Sequence, residues 1–92
     1  MLLDVRELAN FADFFVICTA ESPPQFAAIT NDAERTLRSM GLRRHHREGE
    51  NDSGWVLIDF GDVILHVFTP DRRAHYDLES AWSAAPRLAR VP

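Results

Sequence analysis

Between Trp55 and Phe68 the chain reads Trp-Val-Leu-Ile-Asp-Phe, then Gly-Asp, then Val-Ile-Leu-His-Val-Phe. No other stretch constrains the fold as strongly. Two runs rich in β-branched and aromatic residues flank a dipeptide suited to a tight turn, which predicts an antiparallel hairpin over 55–68. Apolar residues occupy both parities of both runs. Successive side chains of a strand point to opposite faces, so both faces of this hairpin must be covered.

The remaining segments supply a sheet and its cover. Phe14 to Thr19 is another apolar run without alternation and predicts a strand covered on both faces. Leu2 to Val5 predicts a short strand. Glu21-Ser22-Pro23-Pro24 then breaks the chain. Ser22 is suited to an N-cap, the prolines to a first turn and Gly41 to the C′ position, which bounds a helix of about 17 residues. Phe26, Ile29, Ala33, Leu37 and Met40 recur at three- and four-residue steps and define its buried face. Asp32, Arg35 and Arg38 fall toward solvent. Leu42 to Arg47 predicts a polar edge strand, and residues 50–54 a loop. A helical pattern returns over 71–84, with Tyr76, Leu78, Ala81 and Trp82 as its apolar positions, and stops at Pro86. The tail over 86–92 is expected to fray. The order β-β-α-β-β-β-α predicts one small α/β domain over 1–92, with its core at about 2–84 and helices packed on a mixed sheet. A chain of 92 residues holds a single core.

Charge and cysteine usage narrow the function classes. Fourteen acidic residues against ten basic ones give a net charge of −4. Such a chain is not expected to coat nucleic acid non-specifically, and a basic protein partner suits it better. All ten basic residues are arginine, so any cationic contact can be planar and bidentate. Cys18 is the one cysteine, which precludes an internal disulfide and fits a reducing cytoplasm. The first residues lack a basic, long-apolar leader pattern, and no run approaches membrane-spanning length.

Several residue groups invite a chemical role, and each has a plainer reading. Asp59 and Asp62 could hold a divalent metal in a nucleotide-transferring enzyme, with His66 as a base. Residues three apart in a strand face opposite sides, however, and Gly61-Asp62 suits a turn. No phosphate-binding glycine loop precedes them. His66 alone reads better as hydrogen-bonded structure. His45 and His46 lack metal-ligand spacing. Cys18 reads as a small buried filler. Trp55 follows an acidic loop at the start of a strand and suits a contact surface as well as a core, whereas Trp82 suits the core. Arg72, Arg73, His75 and Tyr76 form a mixed basic and aromatic group at a helix start. On residues alone the chain is a small acidic α/β binding module with no catalytic constellation, no metal site and no cofactor.

Taken together, Asp13 through Ala20, Ser22, Gln25, Glu48-Gly49, Trp55 through Phe68, Arg73, Tyr76-Asp77-Leu78-Glu79 and Trp82 resemble the Iojap family, also called ribosomal silencing factors. The resemblance runs from about residue 3 to residue 83. It implies a nucleotidyltransferase-like fold without the catalytic loop, and a non-enzymatic translation repressor in the cytoplasm. It further implies binding to ribosomal protein L-14 on the large subunit, a steric block to joining of the small subunit when nutrients are short, and homodimerisation in some members. Carried over residue by residue, the positions expected at or beside the partner surface are Glu48, Trp55, Asp59, Asp62, His66, Arg73, Tyr76 and Glu79. The resemblance also implies a helical segment of about twenty residues ahead of the first strand, which this sequence lacks. A nucleotide-binding or nucleotidyltransferase-like enzyme using Asp59 and Asp62 stands as the alternative.

Overall fold

The computed structural model describes residues 1–89. Its strands are β1 (Leu2–Asp4), β2 (Phe14–Thr19), β3 (His46–Glu48), β4 (Trp55–Asp59), β5 (Val63–Phe68) and β6 (Arg87–Ala89). Its helices are α1 (Pro23–Ser39), α2 (Pro70–Tyr76) and α3 (Leu78–Ala81). All six strands form one sheet in the order β3-β4-β5-β2-β1-β6. The β2–β5 pair is parallel and the others are antiparallel, so the sheet is mixed as expected.

The hairpin over 55–68 forms the middle of this sheet. Trp55 stands opposite Phe68, and Leu57 opposite His66. On its other side β5 runs beside β2, with Ile17 opposite His66. Both hairpin faces are covered, but by different means. On one face Val56, Ile58, Phe60, Leu65 and Val67 join Cys18 and Ala20 beneath Phe26, Ile29, Ala33 and Leu37 of α1. On the other, Leu3, Phe15, Ile17, Ile64 and Phe68 pack with Trp55, Leu57, Leu78 and Trp82. Cys18 is buried, and burial raises its thiol pKa, as a filler role requires.

The termini of α1 follow the sequence signals. The Ser22 side chain accepts from the Gln25 amide at 3.3 Å, and Gln25 reaches back to accept from the Glu21 amide at 2.8 Å. At the far end Gly41 takes φ +87°, its amide bonds the Arg38 carbonyl and that of Leu42 bonds the Leu37 carbonyl. This double closure needs a left-handed residue, which glycine adopts without strain. The buried stripe departs from expectation at its end. Met40, the C-cap of α1, is 69% exposed, whereas Thr30 is buried and satisfied by donating to the Ala27 carbonyl at 3.2 Å.

Three segments differ from the sequence reading. The polar edge strand covers 46–48 rather than 42–47, because the Leu42 amide closes α1 and pairing to β4 starts only where the His45 amide meets the Asp59 carbonyl. The helix expected over 71–84 is two short helices, broken at Asp77, which adopts φ +46°. Aspartate is among the few residues that tolerate this left-handed geometry, and the resulting bend turns Leu78 and Trp82 onto the sheet. Of the helix's expected apolar positions, Tyr76 and Ala81 are exposed. Finally, residues 87–89 do not fray but pair with β1, where unpaired edge groups gain partners. Residues 90–92 of the expected frayed tail lie outside the described residues.

Candidate functional site

The two covers leave different amounts of the sheet open. The long α1 covers the central strands β2, β4 and β5 on its face. The short α2 and α3 cover only part of the opposite face and leave an open strip over β3 and β4. Pairing parity decides what lines it. Glu48 of β3 stands opposite Leu57 of β4, so both project to this face, together with Trp55 two residues earlier. Gly49, Ser53, Glu48, Trp55 and Leu57 enclose a cavity of about 300 Å³. Gly49 adopts φ +88°, and a Cβ there would run into the Trp55 carbonyl. The glycine therefore lets the β3–β4 loop close against the strand that carries the indole.

Trp55 is half-buried and tightly fixed. Its ring stacks on Phe68 at 4.9 Å, meets Tyr76 at 4.5 Å, and its indole Nε1 donates to His66 Nδ1 at 3.3 Å. His66 is only 5% exposed, and burial pushes its pKa down to about 4. The ring is therefore neutral near pH 7. Its Nδ1 accepts the indole proton, which leaves its own proton on Nε2. Phe15 closes the far side of the imidazole edge-on at 5.3 Å. An aromatic group with its orientation fixed in advance loses little entropy on binding, which suits a hot-spot contact.

The other expected site residues separate into three groups. Arg73 donates through Nε to Glu79 at 2.8 Å and through a terminal nitrogen to the Thr19 hydroxyl at 2.7 Å. That pair ties α2 and α3 to β2, and the hydrogen bond from Arg73 holds the Glu79 carboxyl below its usual pKa. Glu48 is exposed at the rim of the open strip, with a carboxylate oxygen 3.1 Å from His46 Nε2. Asp59 and Asp62 lie at the opposite end of the hairpin, about 13 Å from Trp55 along β4. There the Asp59 carboxylate accepts from the Gly61 amide at 2.7 Å, and the Asp62 peptide oxygen accepts from the amides of Asp13 and Phe14. The Asp59 carboxylate thus shapes the turn, and the Asp62 backbone ties the turn to the start of β2. The structure brings Trp55, His66 and Tyr76 into one cluster, places Glu48 beside it, and sets Arg73–Glu79 behind it. Leu57 and Phe68 complete the cluster without having been singled out. The parity of the hairpin was the available signal for both.

Comparison with known proteins bears on this site. The family described as "Ribosomal silencing factor during starvation" matches residues 1–91. The chain is 40% identical over 86 residues to the ribosomal silencing factor RsfS of Halalkalibacterium halodurans, which covers 94% of this chain and 74% of that relative. A crystal structure of a Chromobacterium violaceum protein superposes with a TM-score of 0.81 at 31% identity, covering 97% of this chain and 73% of that one. A more distant mouse relative, 26% identical over 85 residues, covers 89% of this chain and 37% of its own length, and is named for mitochondrial assembly of the ribosomal large subunit.

Proposed function

The chain belongs to the ribosomal silencing factor family, and from that membership we propose that it silences translation by docking through its open strip onto ribosomal protein L-14 of the large subunit. Ribosome-associated silencing of translation is the role for which the family is named. The docked chain would occupy the large subunit's joining face and sterically exclude the small subunit. No covalent step is involved, and the protein works in the cytoplasm beside the ribosomes.

One observation carries this reading. Trp55 is half-buried and held on a base of Phe68, Tyr76 and His66, next to an apolar cavity with a carboxylate at its rim. A rigid aromatic anchor beside a pocket is the usual centre of a protein interface. Net charge of −4 steers such a surface toward a basic partner. The alternative, a nucleotide-transferring enzyme, has against it the engagement of the Asp59 carboxylate by the Gly61 amide.

Co-sedimentation with isolated subunits tests the reading. The chain is expected to pellet with large subunits and not with small ones, and Trp55→Ala to weaken that association at least thirtyfold, roughly the 2 kcal/mol of a hot spot. Equal binding to both subunits, or to neither, overturns the proposal. A calorimetric titration with ATP and magnesium tests the alternative, and heat at millimolar ligand would revive it.

A further inference from the structure

The net charge conceals a strong segregation of charge. Five of the ten arginines, Arg35, Arg38, Arg43, Arg44 and Arg47, fall within residues 35–47, where no acidic residue occurs. The fold gathers Arg38, Arg43 and Arg44 at one corner. The closure of α1 at Gly41 and Leu42 turns the chain sharply, so that Arg43 and Arg44 come back beside Arg38 on the last turn of the helix. Arg38, Arg43 and Arg44 line a concavity of about 290 Å³, with Glu34, Leu42 and Phe60 completing its wall. Arg44 also borders a second concavity of about 400 Å³, with His45, His46, Arg47, Gly49 and Glu50, along the outer edge of the sheet.

The internal pairing leaves this corner electropositive. Glu34 is the one carboxylate in the first concavity, and it is shared between Arg44 at 3.0 Å and Arg38 at 4.0 Å. Arg43 is exposed and makes no ion pair or hydrogen bond among the described residues. Arg38 has 69% of its side chain exposed. Three guanidinium groups around one carboxylate hold an excess of planar, always-charged donors whose geometry matches phosphate oxygens. The first concavity shares no lining residue with the Trp55 cavity. It adjoins Phe60 and the β4–β5 turn, whereas Trp55 begins β4, about 17 Å away along the strand. The two surfaces can therefore be engaged together.

We propose that Arg38, Arg43 and Arg44 form a phosphate-binding corner that grips the RNA backbone of the large subunit while the Trp55 strip engages protein. The inference deepens the docking reading above and rests on it for the identity of the RNA. It also qualifies the expectation from net charge. The chain as a whole repels a polyanion, but one corner attracts it, so the RNA contact is confined to one orientation.

Salt dependence measures the contact directly, because each phosphate neutralised releases counterions and contributes about −0.7 to −0.9 to the slope of log affinity against log salt. Large-subunit binding is measured for the wild-type chain and for the combined variant Arg38→Gln, Arg43→Gln, Arg44→Gln from about 50 to 200 mM salt, a range over which phosphate contacts weaken strongly. All three side chains are exposed, so the fold is retained, and a thermal melt confirms it. The variant is expected to bind about ten- to a hundredfold more weakly at low salt, with a slope shallower by about two to three units. Trp55→Ala weakens binding at every salt concentration and leaves the slope unchanged. A triple variant with the wild-type slope overturns the phosphate corner while leaving the docking reading intact. If the wild-type chain does not associate with large subunits, the docking reading falls, and fluorescence anisotropy with a labelled RNA hairpin at low salt decides the corner by itself. Hairpin binding that the three substitutions abolish upholds it, and no binding by the wild-type chain overturns it.

Discussion

The two faces of the sheet are built from the same strands but solve different problems. The face beneath α1 is uniformly apolar. Its side chains interdigitate with a single long helix, and its buried threonine hydrogen-bonds within that helix. The opposite face is assembled from short helices, several aromatic rings, a buried neutral histidine and an ion pair, and it stays partly open. The first arrangement buries apolar side chains under one helix. The second spends polar groups on orientation: His66 fixes Trp55, and Arg73 fixes Glu79 and Thr19. The difference teaches that both faces bury a core, but only the second adds polar contacts that fix the orientation of its aromatic rings.

Substitutions can break this division of labour. The largest effect belongs to the α1 face. Phe26 is 1% exposed in the first turn of α1, and Phe26→Ala is expected to cost about 3–5 kcal/mol of stability in urea denaturation. A much smaller cost means that α1 contributes less than its burial implies.

The next effect isolates the buried histidine. Folding lowers the His66 pKa from 6.5 to about 4. Above the unfolded value both states hold it neutral and its contribution is fully present. Between 6.5 and about 4 only the unfolded chain takes up the proton, so stability falls with pH. The loss from this group is on the order of 3 kcal/mol. Denaturation of His66→Phe across the same window is expected to show a correspondingly flatter pH dependence, and an unchanged slope places the titration elsewhere.

Trp55→Ala sharpens the comparison. Its ring is half-buried, so the expected stability cost is about 2 kcal/mol, below that of a fully buried aromatic, although large-subunit binding is expected to weaken at least thirtyfold. A cost equal to that of Phe26→Ala makes Trp55 a core residue and weakens its role as a presented anchor. The smallest effect is expected for Arg73→Ala, at about 1–2 kcal/mol for a partly buried charged hydrogen-bond pair. Hydrogen exchange should localise it to α2 and α3. Protection lost across the whole sheet instead would show that the pair supports the core.

Much of the fold was legible from local chemistry. Ser22, the two prolines and Gly41 bound α1 because capping depends on neighbouring residues alone. The 55–68 hairpin was legible for the same reason. The break at Asp77 was not, because a helix pattern does not reveal that Leu78 and Trp82 pack better after a left-handed step. Residues 87–89 carry no strand signal of their own and pair only because β1 offers a free edge. The candidate site divides similarly. Trp55 was legible as a large aromatic after an acidic loop. That His66 acts through Trp55, and that Arg73 and Glu79 engage each other, depends on contacts between segments far apart in the chain.

The sequence by itself determined the alternation of strands and helices, the ends of α1 and the family, since these rest on short-range pattern, capping and motif. Only the tertiary structure decided which sheet face stays open, which indole His66 holds, and where Arg38, Arg43 and Arg44 meet despite a net negative charge. The physical reason is the same in each case. Burial, ring stacking and electrostatic field depend on distances between side chains, and only the packed sheet sets those distances.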